Sequence, residues 1–199
     1  MRRDGNRFSG GSALSPGRQP REKDWNRIPA APAAAAQGVV ISLTSTTPFG
    51  LDNDRVAHTY AVQYIHCVFS TKGRATLIAE PPRLWAYMRA VARNCKVNVA
   101  AIGGTGNHVH LLMTIPPTAQ TADIVRTLKA NTSRWMNEIG NGFAWQDGYA
   151  AISVSPSQVP AVVQYIANQA EHHGRRTFEQ EYETLLRKSG VPFDRDYLF

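Results

Sequence analysis

At 199 residues with a formal net charge of +7 and a sequence pI near 9.7, the chain can build one domain with a full core, and it favours a polyanionic partner, nucleic acid before an anionic membrane surface. A little over half of the excess charge lies in the first 27 residues (Arg2, Arg3, Arg7, Arg18, Arg21, Lys23 and Arg27 against Asp4, Glu22 and Asp24), so the remainder is only mildly basic. No apolar run approaches the ~20 residues of a membrane span, and the interrupted "APAAAAQGVVISL" makes a poor secretion signal. The two cysteines, Cys67 and Cys95, form no CxxC pattern and suit a reducing compartment, so a cytoplasmic location is expected.

Residues 1–57 are rich in Gly, Pro, Ser, Ala and Arg, have no sustained period and read as a disordered basic tail. A first strand is expected in "TYAVQYIHCVFSTK", rich in aromatic and β-branched residues. A helix follows in "PPRLWAYMRAVARNC", opened by Pro81 and Pro82, with Leu84, Met88 and Val91 on one face. "VNVAAIG" and "HVHLLMTI" are strands joined as a hairpin through the Gly-rich "GGTGN". The run "TADIVRTLKANTSRWMNEIG" predicts a second helix capped by Thr121 and stopped by Gly140, with Ile124, Val125, Leu128, Trp135, Met136 and Ile139 as its apolar stripe. "FAWQDGYAAISVS" predicts a fourth strand region, and "SPSQVPAVVQYIANQAEHHG" a third helix capped by Ser155 or Ser157. "TFEQEYETLLRKSG" predicts a fourth helix with Thr177 and Gln180 in capping-box register. The order β-α-β-β-α-β predicts an α+β fold of the ferredoxin-like, split βαβ kind. Its antiparallel sheet carries helices on one face, followed by C-terminal helices.

The chemistry concentrates in "HVHLL". Side chains alternate along a strand, so His108 and His110 share one face, about 6.6 Å apart, while Val109, Leu111 and Met113 are free to pack on the other. Two such imidazoles can converge on one divalent ion, or they can be ordinary histidines on a wet sheet face. A metal site needs at least one more ligand. In "VVQYIANQ", Tyr165 and Gln169 are helical neighbours, four residues apart. A Gln amide oxygen suits Mg²⁺ or Mn²⁺, and a phenol beside the ion could attack a phosphate and form a covalent ester. The plain alternative is a surface tyrosine and glutamine.

Taken together, "HVHLL", the downstream "VVQYIANQ" and the split βαβ order resemble the single-tyrosine HUH transposases of insertion sequences and the REP-associated tyrosine transposases. The resemblance covers about Tyr60 to His173. It implies that His108, His110 and Gln169 bind a divalent metal, Mg²⁺ or Mn²⁺, and that Tyr165 is the nucleophile. That tyrosine would cut single-stranded DNA at hairpin-bearing ends and hold the 5′ phosphate, leaving a free 3′-OH. It also implies a homodimer in which one subunit's tyrosine completes its partner's metal site. A non-catalytic binder of DNA or RNA hairpins on the same fold is the alternative. A zinc hydrolase ranks behind both, for want of an acidic ligand or base in this motif.

On this reading residues 58–175 form the catalytic domain, with 176–199 a C-terminal helical extension that does not touch the catalytic set. Lys72, Arg74, Arg126, Lys129 and Arg134 are candidate contacts to DNA phosphates, the last three equally readable as a solvated helix face. His66 reads as a core or sheet-face histidine. His172 and His173 close a helix, where the dipole favours histidine.

Overall fold

A computed structural model describes residues 60–140, 142–173, 176–195 and 198. The expected tail, 1–57, lies entirely outside these residues. Four strands occur among the described residues: β1 (Gln63–Ser70), β2 (Asn98–Thr105), β3 (His108–Ile115) and β4 (Ala150–Val154). They form one sheet in the order β2-β3-β1-β4, every pairing antiparallel. Two helices, α1 (Pro81–Asn94) and α2 (Thr121–Ile139), fall between the strands as the split βαβ plan requires. Three more follow β4: α3 (Val159–Ala167), the single turn α4 (Gln169–His172) and α5 (Phe178–Lys188).

The register assigns side chains to faces. Val68 pairs with His110, Ser70 with His108 and His66 with Leu112, so these six share a face. The opposite face carries Cys67, Phe69, Val109, Leu111 and Met113, all buried. Helix α2 covers that second face. Lys129 sits over the Phe69 ring, and Trp145, edge-on to Phe69, donates its indole N–H to Thr132. Helix α1 packs on α2 and β2 through Leu84, Met88 and Val91.

The histidine face is covered by the C-terminal helices, so the sheet is buried on both sides. Ile166 of α3 packs on Ala101 and Leu112. Phe178 and Leu186 of α5 pack on Val68 and Ala150. The docking of α3 demands a glycine, because a Cβ built on Gly103 would stand 2.4 Å from the Ile166 carbonyl oxygen. That glycine reaches the helix through a bulge: Val99 pairs with Met113, but it is Ala101, not Ala100, that pairs with Leu112.

Several expectations change locally. The third helix is broken at Asn168 (φ −94°, ψ 16°) into α3 and α4. It opens on a 3₁₀ turn at Pro156–Gln158 with no side-chain cap from Ser155 or Ser157, whose hydroxyls bond each other at 3.0 Å. Thr121 is the first helical residue of α2 and Gln120 takes the cap position. Ile139, expected in its stripe, is exposed. The fourth strand is only five residues long, because Gly148 turns the chain at φ +76° and the segment before it packs Phe143 and Trp145 against β1 and α2. The capping box of α5 is present, Gln180 donating its backbone N–H to the Thr177 hydroxyl and accepting from the Thr177 N–H. No described helix is long and apolar enough to cross a membrane.

Candidate active site

His108 and His110 are fully buried on β3, and both have their Nδ1 occupied. His108 Nδ1 faces the Asn107 side-chain oxygen at 2.7 Å and the Thr105 hydroxyl at 3.1 Å. His110 Nδ1 faces His66 Nε2 at 3.1 Å. Each Nε2 is therefore aimed toward the helices above the sheet, the orientation that an outer hydrogen bond gives a metal-binding imidazole. His66, read from sequence as a core residue, is buried on β1 and serves as that outer partner of His110.

Tyr165 of α3 and Gln169 of α4 come to the same place. The Gln169 side-chain oxygen lies 3.3 Å from His108 Nε2, and the Tyr165 ring stands edge-on to both His110 and His66. The chain's own helix thus covers its own histidines. Gly103 lets α3 seat directly on β2 of the same chain, with its tyrosine beside that chain's own histidine pair.

Two further groups enter the site: Glu181 from the extension expected to stay clear of it, and His173 from the end of the α4 turn. The Glu181 carboxylate of α5 accepts from the Tyr165 hydroxyl and, at 2.8 Å, from the Gln169 amide. It also lies 3.6 Å from His110 Nε2 and 2.7 Å from His173 Nε2. The C-terminal extension is therefore part of the site. Sequence spacing held two signals for these residues. His173 is four residues past Gln169, as Gln169 is past Tyr165. Glu181 sits among Phe178, Tyr182 and Leu185, a carboxylate on the apolar stripe of α5.

Burial sets the electrostatics. It lowers His66 to about 4, against a weaker upward pull from Glu181. It lowers His108 to about 4, with His173 adding to the effect. It lowers His110 furthest, helped by His66 and His108. All three imidazoles are neutral near pH 7, as metal ligation and its support require. Burial pushes the Tyr165 phenol up, and the Glu181 carboxylate adds to this. Burial pushes Glu181 up as well, but His173, His110, Tyr165 and Gln169 outweigh it and hold the carboxyl well below its usual range.

A divalent ion fits these residues. His110 Nε2, His173 Nε2 and Glu181 Oε2 are buried without a hydrogen-bond partner, the last two close together but not aligned as donor and acceptor. Buried polar atoms left so are costly unless something else satisfies them. His108, His173 and Glu181 also offer ligand atoms that all lie within 4.8 Å of one another.

The site opens into a cleft of about 880 Å³ between α3 and α5, whose lining includes Ser155, Tyr165, His173, Arg176, Glu181 and Lys188. The five cations expected to meet DNA lie elsewhere. Lys72 and Arg74 form the turn after β1, and Arg74 pairs with Glu179 of α5 at 2.7 Å. Arg126, Lys129 and Arg134 belong to α2, across the sheet from the histidines. Arg126 pairs with Asp123 at 2.9 Å, and the Lys129 ammonium donates to the Gln146 and Gly148 carbonyls.

Two solved structures are similar to the chain. One, from Deinococcus radiodurans R1 and assigned as a transposase, is 23% identical (TM-score 0.47), the match covering 58% of this chain and 97% of that one. The other, a REP-associated tyrosine transposase bound to a REP hairpin, is 16% identical (TM-score 0.48), the match covering 61% and 74%. No curated protein matches. The family model described as "Transposase IS200 like" matches residues 59–169, more than half of the chain, and reaches from β1 through the histidine pair and Tyr165 to Gln169. The chain belongs to the IS200-like transposases.

Proposed function

We propose that this transposase cuts and rejoins single-stranded DNA at hairpin-bearing ends, with Tyr165 as nucleophile and a divalent ion, Mg²⁺ or Mn²⁺, held by His108, His110 and Gln169. The observation that carries the reading is the convergence of the Tyr165 phenol with the two imidazoles and the Gln169 amide in one buried site, beside a cleft that Arg176 and Lys188 help to line.

When bound, the ion supplies Lewis-acid polarisation of the scissile phosphate. The Tyr165 oxygen attacks phosphorus, the P–O3′ bond breaks, and the DNA 3′ oxygen departs as a hydroxyl. The 5′ phosphate stays on Tyr165 as an ester that conserves the bond, so a new 3′-OH can be joined by the reverse displacement without ATP. The phenol proton already points at Glu181, which is its first acceptor. Arg176 and Lys188, at the cleft, hold the flanking phosphates. A second copy of the chain is the expected partner, each copy bringing a site complete in itself.

The test is incubation of the full chain with end-labelled, hairpin-bearing single strands and Mg²⁺ or Mn²⁺. A covalent protein–DNA band and a free 3′-OH fragment are expected. Neither forming with any hairpin substrate, while the protein binds those strands, would favour a non-catalytic hairpin binder.

A further inference from the structure

We propose that His173 and Glu181, beyond the Tyr165 helix, are direct ligands of the catalytic ion, so that the metal site is built by β3, the α4 turn and α5 together. The proposal rests on the reading of His108, His110 and Gln169 as metal ligands and extends it.

Distances are the first support. Nitrogen and oxygen ligands bind divalent ions such as Zn²⁺ at ~2.0–2.2 Å, so neighbouring ligand atoms in one shell stand roughly 3.0–3.5 Å apart. The 3.3 Å from His108 Nε2 to Gln169 Oε1 lies inside that range, while the 3.6 Å from His110 Nε2 to Glu181 Oε1 and the 2.7 Å from His173 Nε2 to Glu181 Oε2 lie just outside it on either side, so small side-chain shifts would bring these atoms into one shell.

The unpartnered atoms are the second support. A hydrogen bond between His173 and Glu181 alone would still leave His110 Nε2 orphaned on a residue with no exposed surface. One cation among these atoms satisfies His110 Nε2, His173 Nε2 and Glu181 Oε2 at once. Charge is the third support. The pair His108 and His110 with Gln169 is a neutral set, whereas Glu181 brings a buried negative charge that needs a positive partner. Its nearest groups are two imidazoles, a phenol and an amide.

The donor chemistry selects the ion. Imidazole nitrogens suit transition ions, carboxylate and amide oxygens suit Mg²⁺, Ca²⁺ and Mn²⁺, and the mixture points to Mn²⁺ over Mg²⁺. The same arrangement ties the nucleophile to the ion. Glu181 Oε1 receives the Tyr165 and Gln169 hydrogen bonds while Oε2 faces His173, so one carboxylate spans the phenol and the metal ligands.

The test uses the full chain stripped of metal and titrated with Mn²⁺ by calorimetry and by loss of the free-ion EPR signal. Glu181→Gln and His173→Ala are each expected to weaken Mn²⁺ binding by at least tenfold. Either variant binding Mn²⁺ as wild type overturns that residue's assignment. His108→Ala, His110→Ala is the separate arm: wild-type affinity there sinks the metal reading of the histidine pair itself, whatever α5 does. Because a site variant can also unfold, the wild-type protein loaded with Cu²⁺ is examined by pulsed EPR for the number of coordinated imidazoles. Three are expected, and two would exclude His173.

Discussion

Tyr165 is the residue on which the chemistry turns, and its hydroxyl is separable from its ring. Tyr165→Phe keeps the packing against His66 and His110 and removes one hydrogen bond to Glu181, so a loss of about 1 kcal/mol of stability is expected. Covalent adduct formation is expected to vanish while hairpin binding persists. A surviving adduct would move the nucleophile elsewhere, with the part-exposed Tyr149 first in line. His66 offers a second test. Its replacement by Ala frees His110 Nδ1, and Mn²⁺ affinity should fall roughly 10- to 100-fold, as for other outer partners of metal ligands. Unchanged affinity in that variant would show that the His66–His110 bond has no part in aiming the ring. His108, His110, Tyr165 and Gln169 could be picked from the sequence because strand and helix periods put each pair on one face. What His66, His173 and Glu181 touch depends on sheet register and on where α5 lands. Neither is encoded in local spacing.

At the scale of elements, the seat of α3 on β2 is the critical contact. Gly103→Ala places a methyl 2.4 Å from a backbone oxygen, which can be relieved only by moving the helix. A cost of roughly 1–3 kcal/mol is expected, read as a lower melting temperature, with a larger proportional loss of cleavage because Tyr165 rides on that helix. Full activity in Gly103→Ala would mean that α3 works away from β2. The helices α1, α2 and α5 were legible from apolar stripes and capping signals. The break at Asn168 was not, since "VVQYIANQAEHH" carries no proline or glycine to mark it. The short β4 had a visible cause in the Asp147–Gly148 turn, but the aromatic residues before it imitate a strand while packing as a loop.

For the whole molecule, three neutral buried imidazoles make stability depend on pH. His66 and His108 titrate near 4 in the folded chain against 6.5 unfolded, and His110 shifts the same way. The unfolded chain therefore binds more protons between these values. The histidine contribution is complete above about pH 6.5 and is lost as pH falls toward 4, by up to roughly 1.4 kcal/mol per pH unit for each. Glu181, held below its usual range, adds a second loss below about pH 4.5. Melting temperatures in chelator from pH 8 to 4 should decline from about 6.5 downward, and Mn²⁺ should raise them more at pH 7 than at pH 5. A flat profile would contradict neutral, buried imidazoles. Assembly is testable in the same protein. With each site complete in cis, mixing His108→Ala, His110→Ala chains with Tyr165→Phe chains should leave cleavage dead even when heterodimers form. Recovery would show that the tyrosine helix crosses between subunits.

The bulge at Ala100 sets the phase of everything after it in β2. Ala100 is the residue the ladder can spare: its removal leaves Val99, Ala101, Ile102 and Gly103 opposite Met113, Leu112, Leu111 and His110, with the bare landing strip still under the tyrosine helix. One residue inserted beside it is instead a frame error in three dimensions: alternation would turn Ile102 toward the tyrosine helix and Gly103 away from it, so the helix meets a branched side chain. Insertion of an alanine next to Ala100 should therefore be far more damaging than deletion of Ala100, a contrast that a small indel library scored by DNA cleavage would reveal.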